Sequence, residues 1–206
     1  MPAVRLYVRS RRLVGTALSM AVAAALAALA GGRVLSALQG EEIKSIPWRF
    51  GCLMGVACLA GASLAGQTPK TDLGDTGPLR RAQGVHMAVF GVFGAAVVSL
   101  AGLAAEDGAW LSGIRAFGFW YGTSLLCGAL IGPALSWVLP AATVAPVIAL
   151  DGDLANPQPW NWALAHPWQP TSYILPIILL CVGAAAWRFQ VRPPISAAPR
   201  RPAAPS

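Results

Sequence analysis

The chain has 206 residues, of which 56% are hydrophobic and only 11% charged, and its formal net charge is +7. A soluble domain carries roughly 25% charged residues, so this chain has too few to cover a water-facing surface. The composition excludes a water-soluble enzyme and predicts an all-α polytopic membrane protein. Because the basic residues lie at the ends of apolar runs, the charge indicates orientation in a bilayer, and we expect no nucleic acid partner.

The N-terminal residues 1–12 form a basic stretch in which apolar residues alternate with Arg5, Arg9, Arg11 and Arg12. This pattern predicts an amphipathic segment on the surface of an anionic membrane. The apolar run 13–30 follows directly. Because this run is long and a second one begins soon after it, we predict an uncleaved first span rather than a signal peptide.

The longest apolar run, 117–150, contains no charged residue. As one helix it would be about 51 Å long, which exceeds the ~30 Å hydrocarbon core of a bilayer. The dipeptide Gly132-Pro133 predicts a break, because proline cannot continue the helical hydrogen bonds and glycine permits a turn. The six predicted spans are therefore 13–30, 48–66, 85–105, 117–131, 134–150 and 172–189.

The distribution of basic residues predicts how these spans are oriented. The segments 1–12, 67–84 and 188–206 together hold eleven of the 15 lysines and arginines. Basic residues favour the cytoplasmic side, so both termini are expected there, which requires an even number of spans. The tail 191–206 has the composition of a disordered basic extension. We expect the protein in the cell membrane.

The segment before the last predicted span, 156–173, is rich in tryptophan and proline and reads NPQPWNWALAHPWQPTSY. Indole rings favour the membrane–water interface, and the prolines predict short helices at the outer leaflet. Two interpretations remain: a simple aromatic belt, or a gate over an outward exit. The residues concerned are Trp160, Trp162, His166 and Trp168.

Catalytic motifs are missing from the sequence, which has neither a P-loop nor an HExxH pattern. Its two histidines, His86 and His166, lie in segments predicted at opposite faces, which disfavours a haem site. The cysteines lie in apolar runs and are expected to be free thiols: Cys52, Cys58, Cys127 and Cys181. We therefore predict no enzymatic activity, no cofactor and no metal in this chain.

Ionisable residues occur only near the ends of the predicted spans, where Arg33, His86 and Glu106 lie. Ion-coupled carriers place such groups at mid-depth, so a self-contained secondary transporter is disfavoured. GxxxG spacings allow close helix approach, either within the bundle or at a dimer seam. They are formed by Gly51 and Gly55, by Gly118 and Gly122, and by Gly128 and Gly132.

The predicted cytoplasmic connection 67–84 combines charges with turn residues, and Gly77-Pro78 predicts the start of a short helix. It is either a solvated linker or a docking site for a cytoplasmic protein. The candidate contacts are Lys70, Asp72, Asp75, Arg80 and Arg81.

This layout resembles the membrane subunit of ATP-binding-cassette exporters of the ABC type-2 permease kind. The features that carry the resemblance are the basic N-terminal segment, the charged 67–84 connection, the near-absent loop at Gly132-Pro133 and the proline- and aromatic-rich element before the last span. The ending WNWALAHPWQPTSYILPIILLCVGAAAW is also similar to permease-like proteins of high-GC actinobacteria.

The resemblance implies that 67–84 rests on a separate ATPase subunit and that 151–171 caps an exit. It also implies two membrane subunits, alike or different, with a peptide, lipid or hydrophobic drug as cargo. Two alternatives remain from the residues: a six-helix capture subunit of a small-molecule importer, and a structural or assembly subunit of a membrane complex.

Overall fold

The computed structural model describes residue 7 and residues 11–30, 34–39, 42–64, 78–104, 109–149 and 166–189. Most of these residues are helical, so the predicted helical class is confirmed. The helices of more than ten residues in these ranges are α1 (Leu13–Ala30), α2 (Trp48–Ala62), α3 (Pro78–Leu103), α4 (Ala109–Ile131), α5 (Val138–Ala149) and α6 (Ile174–Phe189).

An antiparallel hairpin that the sequence analysis did not anticipate joins α1 to α2. Strand β1 (Val34–Gln39) pairs with β2 (Glu42–Pro47), so that Gln39 lies opposite Glu42. The strands are short and lack a clear apolar alternation, so the hydrophobic pattern gave little signal for them.

Three helical segments in the described ranges are long and apolar enough to cross a membrane: Arg81–Leu103, Trp110–Ile131 and Pro170–Phe189. These segments indicate a membrane protein. The described chain also contains three shorter apolar helices, Leu13–Leu29, Phe50–Ala62 and Pro133–Val144.

The predicted break at Gly132-Pro133 is confirmed. Helix α4 ends at Ile131, and Gly132 has a φ of +106°, a conformation that favours glycine because it lacks a Cβ atom. A 3₁₀ turn at Pro133–Leu135 follows, and α5 begins at Val138.

The third and fourth helices begin before the predicted spans 85–105 and 117–131. Helix α3 begins at Pro78, as the Gly77-Pro78 pattern predicted, but it is long rather than short, and α4 begins at Ala109. The predictions followed the uncharged runs. Arginine is nevertheless a good helix former, so Arg81 and Arg115 extend these helices instead of ending them.

Helix α4 lies at the centre of the bundle. In the most apolar part of Trp110–Ile131, 72% is buried, against 28% for Arg81–Leu103 and 17% for Pro170–Phe189. Buried aromatic side chains on α4 contribute much of the core: Phe117, Phe119, Trp120 and Tyr121. The exposed sides of α3 and α6 are therefore apolar surfaces of the kind that lipid covers.

Helices α4 and α6 pack closely and run in the same direction. A Cβ atom at Gly118 would lie 3.8 Å from Cβ of Pro176, and one at Gly122 would lie 2.5 Å from the carbonyl carbon of Leu179. Further along, a Cβ atom at Gly128 would lie 2.8 Å from the Trp187 ring. Residues later in α4 thus contact residues later in α6, so the two helices are parallel. The chain must return to the start of the bundle between residues 131 and 170.

Helices α1 and α3 both run antiparallel to α4. The Tyr121 hydroxyl donates to the Met87 carbonyl, whereas Gly113 packs on Val98, so α3 and α4 are antiparallel. Helices α1 and α3 are parallel, since Tyr7 meets His86 and Met20 meets Gly94. We call the two ends of the bundle the His86 end and the Arg115 end.

The close packing at Gly122 predicts a large difference between two Gly→Ala variants. Gly122→Ala should lower the free energy of unfolding by about 1–3 kcal/mol, because the added methyl group meets the α6 backbone. Gly55→Ala, where a Cβ atom would meet nothing within 4 Å, is the matched control. It should be neutral or stabilising by up to about 1 kcal/mol, because alanine favours helix.

Thermal unfolding of both variants in mild detergent, followed by size-exclusion chromatography, measures the difference. Equal midpoints would contradict the α4–α6 contact.

Candidate functional site

A hydrogen-bonded chain of polar side chains lies at the His86 end. His86, on α3, is buried, with its Nδ1 3.0 Å from the Tyr7 hydroxyl and its Nε2 2.9 Å from Ser63 Oγ. Ser63 in turn donates to the Ala60 carbonyl at 2.6 Å. A neutral imidazole satisfies this set, with Nε2–H donating to Ser63 and Nδ1 accepting from Tyr7. These hydrogen bonds join the N-terminal segment to the end of α2 and the first part of α3.

Arg11 makes further contacts at the same end of the bundle. It is only 4% exposed, its guanidinium donates to the Leu64 carbonyl, and it lies over the Tyr7 ring at 5.1 Å. Leu64 lies just beyond the last residue of α2, where carbonyls lose their intrahelical partners. Within the predicted surface segment 1–12, Arg11 thus turns into the bundle and satisfies this carbonyl.

A second polar cluster surrounds Arg115 at the opposite end. Arg115 Nη1 donates to Ser172 Oγ at 2.5 Å and to the His166 carbonyl at 3.4 Å. The guanidinium also lies 5.4 Å from the centre of the Tyr173 ring. The side chain is 2% exposed, although residue 115 lies between the predicted spans 85–105 and 117–131. A guanidinium is tolerated inside a helix bundle when oxygen atoms and aromatic faces receive it.

The segment that Arg115 contacts has its own hydrogen bonds. The Tyr173 hydroxyl donates to the Pro167 carbonyl at 2.7 Å, and Ser172 Oγ donates to the Gln169 carbonyl at 2.7 Å. The Trp168 backbone N–H lies 3.4 Å from His166 Nδ1. These bonds shape 166–173 into a turn and a 3₁₀ helix that leads into α6.

The predicted outer-gate residues are placed in part. His166 and Trp168 lie at the Arg115 end, and Trp168 is 67% exposed, as an interfacial indole would be. Trp160 and Trp162 lie outside the described residues. The described part of this segment therefore presents one exposed indole beside the buried Arg115 contact.

Close packing fills the space between the two clusters. The ring of Phe117 stacks on Tyr121 with 5.3 Å between centroids, and Phe50 meets Trp120 edge to face at 6.1 Å. Ser124 and Ser136 are buried without a hydrogen-bond partner among the described atoms. A Cβ atom at Gly61 would collide with Ser124, so α2 and α4 meet there at a small-residue contact.

Several other predicted site residues are only partly placed. Lys70, Asp72 and Asp75 lie outside the described residues, and Arg80 belongs to the first turn of α3. Arg81 is exposed in that helix. Of the paired glycines, Gly122 and Gly128 meet α6, Gly118 is in ordinary contact with it, and Gly51, Gly55 and Gly132 have no neighbour within 4 Å at a Cβ position.

The sequence analysis overlooked the two polar clusters as units. His86 was noted only as lying near a span end, and Arg115 was not singled out. A signal was available, since Arg115 is the one charged residue between Asp107 and Asp151. The four cysteines are free, as predicted. In the described ranges, no three His, Cys, Asp or Glu side chains are placed to hold a metal ion.

Comparison with known proteins yields no relative. No family model matches this chain, no curated protein is significantly similar to it, and no solved structure matches it. The described helices and their packing define the class: a helical membrane protein whose bundle carries a buried polar cluster at each end.

Removing the hydroxyl group of Tyr7 or Tyr173 should lower local stability only at the end of the bundle where that tyrosine lies. Tyr7→Phe removes the donor to His86, and Tyr173→Phe removes the donor to Pro167. Loss of either hydrogen bond should lower the free energy of local unfolding by about 0.5–1.5 kcal/mol. Hydrogen exchange measured by mass spectrometry should speed up near residues 7–11 in the first variant and near 166–173 in the second. Faster exchange at the wrong end, or at neither, would contradict these contacts.

Replacement of Arg115 should lower the free energy of unfolding more than replacement of an exposed arginine on a neighbouring helix. Arg115→Met removes charge-assisted hydrogen bonds that are each worth about 1.5–3 kcal/mol, whereas Arg81→Met should change stability by less than about 0.5 kcal/mol. Thermal midpoints in detergent provide the comparison. If both variants unfold together with the unaltered protein, the guanidinium is not buried as described.

Proposed function

We propose that this chain is the membrane-spanning permease subunit of an ATP-binding-cassette exporter. It crosses the cell membrane six times with both termini in the cytoplasm and pairs with a second membrane subunit, alike or different. A separate ATPase supplies the energy, and the cargo is amphiphilic or hydrophobic. The observation that carries the proposal is the convergence of Tyr7, Ser63 and His86 at one end of the bundle.

This convergence links the proposed docking region to the helices that must move. The connection 65–77 begins directly after Leu64, whose carbonyl receives Arg11, and it leads into α3. A push on the connection would reach α2 through Leu64 and α3 through its first turn. The Tyr7–His86 hydrogen bond would transmit this displacement to the N-terminal segment. Such coupled displacement of packed helices is a rigid-body switch.

The apolar exterior supports an amphiphilic cargo. Helices α3 and α6 expose large aliphatic side chains along their length, among them Val92, at 71% exposed, and Ile177, at 57%. A cargo dissolved in the bilayer would meet these surfaces without crossing water. In this proposal the Arg115 cluster holds the outer gate, with Trp160, Trp162, His166 and Trp168 at the exit.

A structural or assembly subunit is the second candidate, and the close contacts of α4 with its neighbours favour it. The rings of α4 and the contact between Gly61 and Ser124 pack the centre of the described bundle closely. A permease must open such a core during its cycle, whereas a structural subunit would keep it closed.

Purification of the full chain from its native membrane in mild detergent separates the two candidates. A permease should co-purify with a P-loop ATPase, identified by mass spectrometry and confirmed by ATP hydrolysis of the complex. Recovery of other membrane proteins without an ATPase would favour the structural subunit and contradict the exporter.

The predicted connection should govern coupling. In proteoliposomes with the co-purified ATPase, Lys70→Glu combined with Arg80→Glu should lower cargo-stimulated ATP hydrolysis roughly tenfold, equivalent to about 1.4 kcal/mol of lost coupling. Arg188→Glu, a charge reversal on α6, is the control and should retain most of the stimulation. Full stimulation in the double variant would contradict docking at this connection.

A further inference from the structure

Three helices present exposed apolar stripes to the outside of the bundle. Most neighbouring members of a stripe are three, four, seven or eight positions apart, which are spacings that return to one face of a helix. On α1 the stripe contains Val14, Leu18, Val22, Leu26 and Leu29; on α3 it contains Val85, Val89, Val92, Leu100 and Leu103; on α6 it contains Ile174, Ile177, Ile178, Val182 and Phe189.

Each stripe ends in an exposed arginine. Arg12 precedes the first turn of α1, Arg81 lies one turn before Val85 on α3, and Arg188 lies in the last turn of α6. These three positions are at different points of the chain, and two begin a helix while the third ends one.

All three arginines lie at the His86 end of the bundle. Helices α1 and α3 start at this end, where Tyr7 meets His86. Helix α6 finishes there, because Trp187 packs against Gly128 near the end of α4. The antiparallel fold thus converts three separate sequence positions into one basic rim around the apolar surface.

The described helix ranges carry no acidic side chain, and Asp72 and Asp75 belong to the connection between α2 and α3, outside the described residues. The ranges 11–29, 50–64, 81–104, 110–144 and 166–189 contain no aspartate or glutamate. An arginine at the end of an exposed apolar stripe can extend to the headgroup level while its stem covers hydrocarbon. Guanidinium groups also bind phosphate oxygens in a bidentate manner.

We propose that this rim binds anionic phospholipids, with each arginine on a headgroup phosphate and the acyl chains along the adjacent stripe. The sites lie at Arg12, Arg81 and Arg188, and they are distinct from the buried Arg11. Anionic lipid fits both parts of the surface, since the charge matches the rim and the chains match the stripes. This binding needs neither an ATPase nor a cargo, so it stands or falls separately from the exporter function.

Native mass spectrometry of the purified full chain tests the proposal. The protein in detergent is titrated with phosphatidylglycerol or phosphatidylcholine of the same acyl chains. The unaltered protein should bind phosphatidylglycerol preferentially. Each Arg→Gln change should weaken that binding roughly fivefold, as expected for about 1 kcal/mol per juxtamembrane arginine. The triple variant should show no preference between the two lipids.

Two matched variants show whether charge at this end is responsible. Replacement of all three arginines by lysine keeps the charge and should retain most of the preference. Leu103→Gln, at the Arg115 end of the α3 stripe, should leave the preference unchanged. Helical content by circular dichroism establishes folding, and the single variants provide the result if the triple variant is unstable.

Equal binding of both lipids by the unaltered protein would overturn the proposal. An unchanged preference in the folded Arg→Gln variants would do the same, because it would place the anionic lipid elsewhere.

Discussion

The parallel packing of α4 against α6 is the constraint on which the architecture depends. Small residues on α4 bring the two backbones together, most closely where Gly122 meets Leu179 and Gly183. Two neighbouring helices of one chain can be parallel only if the chain between them returns to the same end. The uncharged stretch after Ile131 therefore has to fold back, and the left-handed Gly132 starts that reversal.

The bundle ends use similar chemistry for the same physical problem. Where helices stop, backbone carbonyls lose their partners, and in an apolar environment each unsatisfied group is costly. At one end Arg11 donates to the Leu64 carbonyl just after α2, and at the other Arg115 and Tyr173 donate to the carbonyls of the turn before α6. In both cases the guanidinium also lies against the tyrosine ring. The buried arginines thus stabilise irregular segments against the helices, while exposed arginines form the rim.

The sequence was sufficient for features set by composition and local chemistry. The apolar runs predicted a helical membrane protein, and Gly132-Pro133 predicted the break, because a proline acts on its own backbone whatever surrounds it. The pattern Gly77-Pro78 also predicted where α3 begins, whereas the extension of α4 back to Ala109 was missed because the charge of Arg115 was taken as a boundary. The hairpin was missed because short strands depend on their pairing, and pairing is not local.

The two polar clusters could not be derived from one sequence. No residue near Arg115 in the sequence indicates a contact with Ser172, and Tyr7 is far in sequence from His86. These contacts follow from helix packing, which the hydrophobic pattern restricts but does not determine. The same packing gathers Arg12, Arg81 and Arg188 at one end, which agrees with the shared side that the distribution of basic residues predicted.

The most direct test of the account is the side of the membrane from which each bundle end is reached. Single cysteines replace Arg12, Arg188 or Trp168 in a background without the four native cysteines, and intact right-side-out vesicles are treated with a membrane-impermeant maleimide. The account predicts that Trp168→Cys labels at once, whereas Arg12→Cys and Arg188→Cys label only after the vesicles are opened. Labelling of Trp168→Cys and Arg188→Cys from the same face would mean that α6 does not cross the membrane, and would contradict the account.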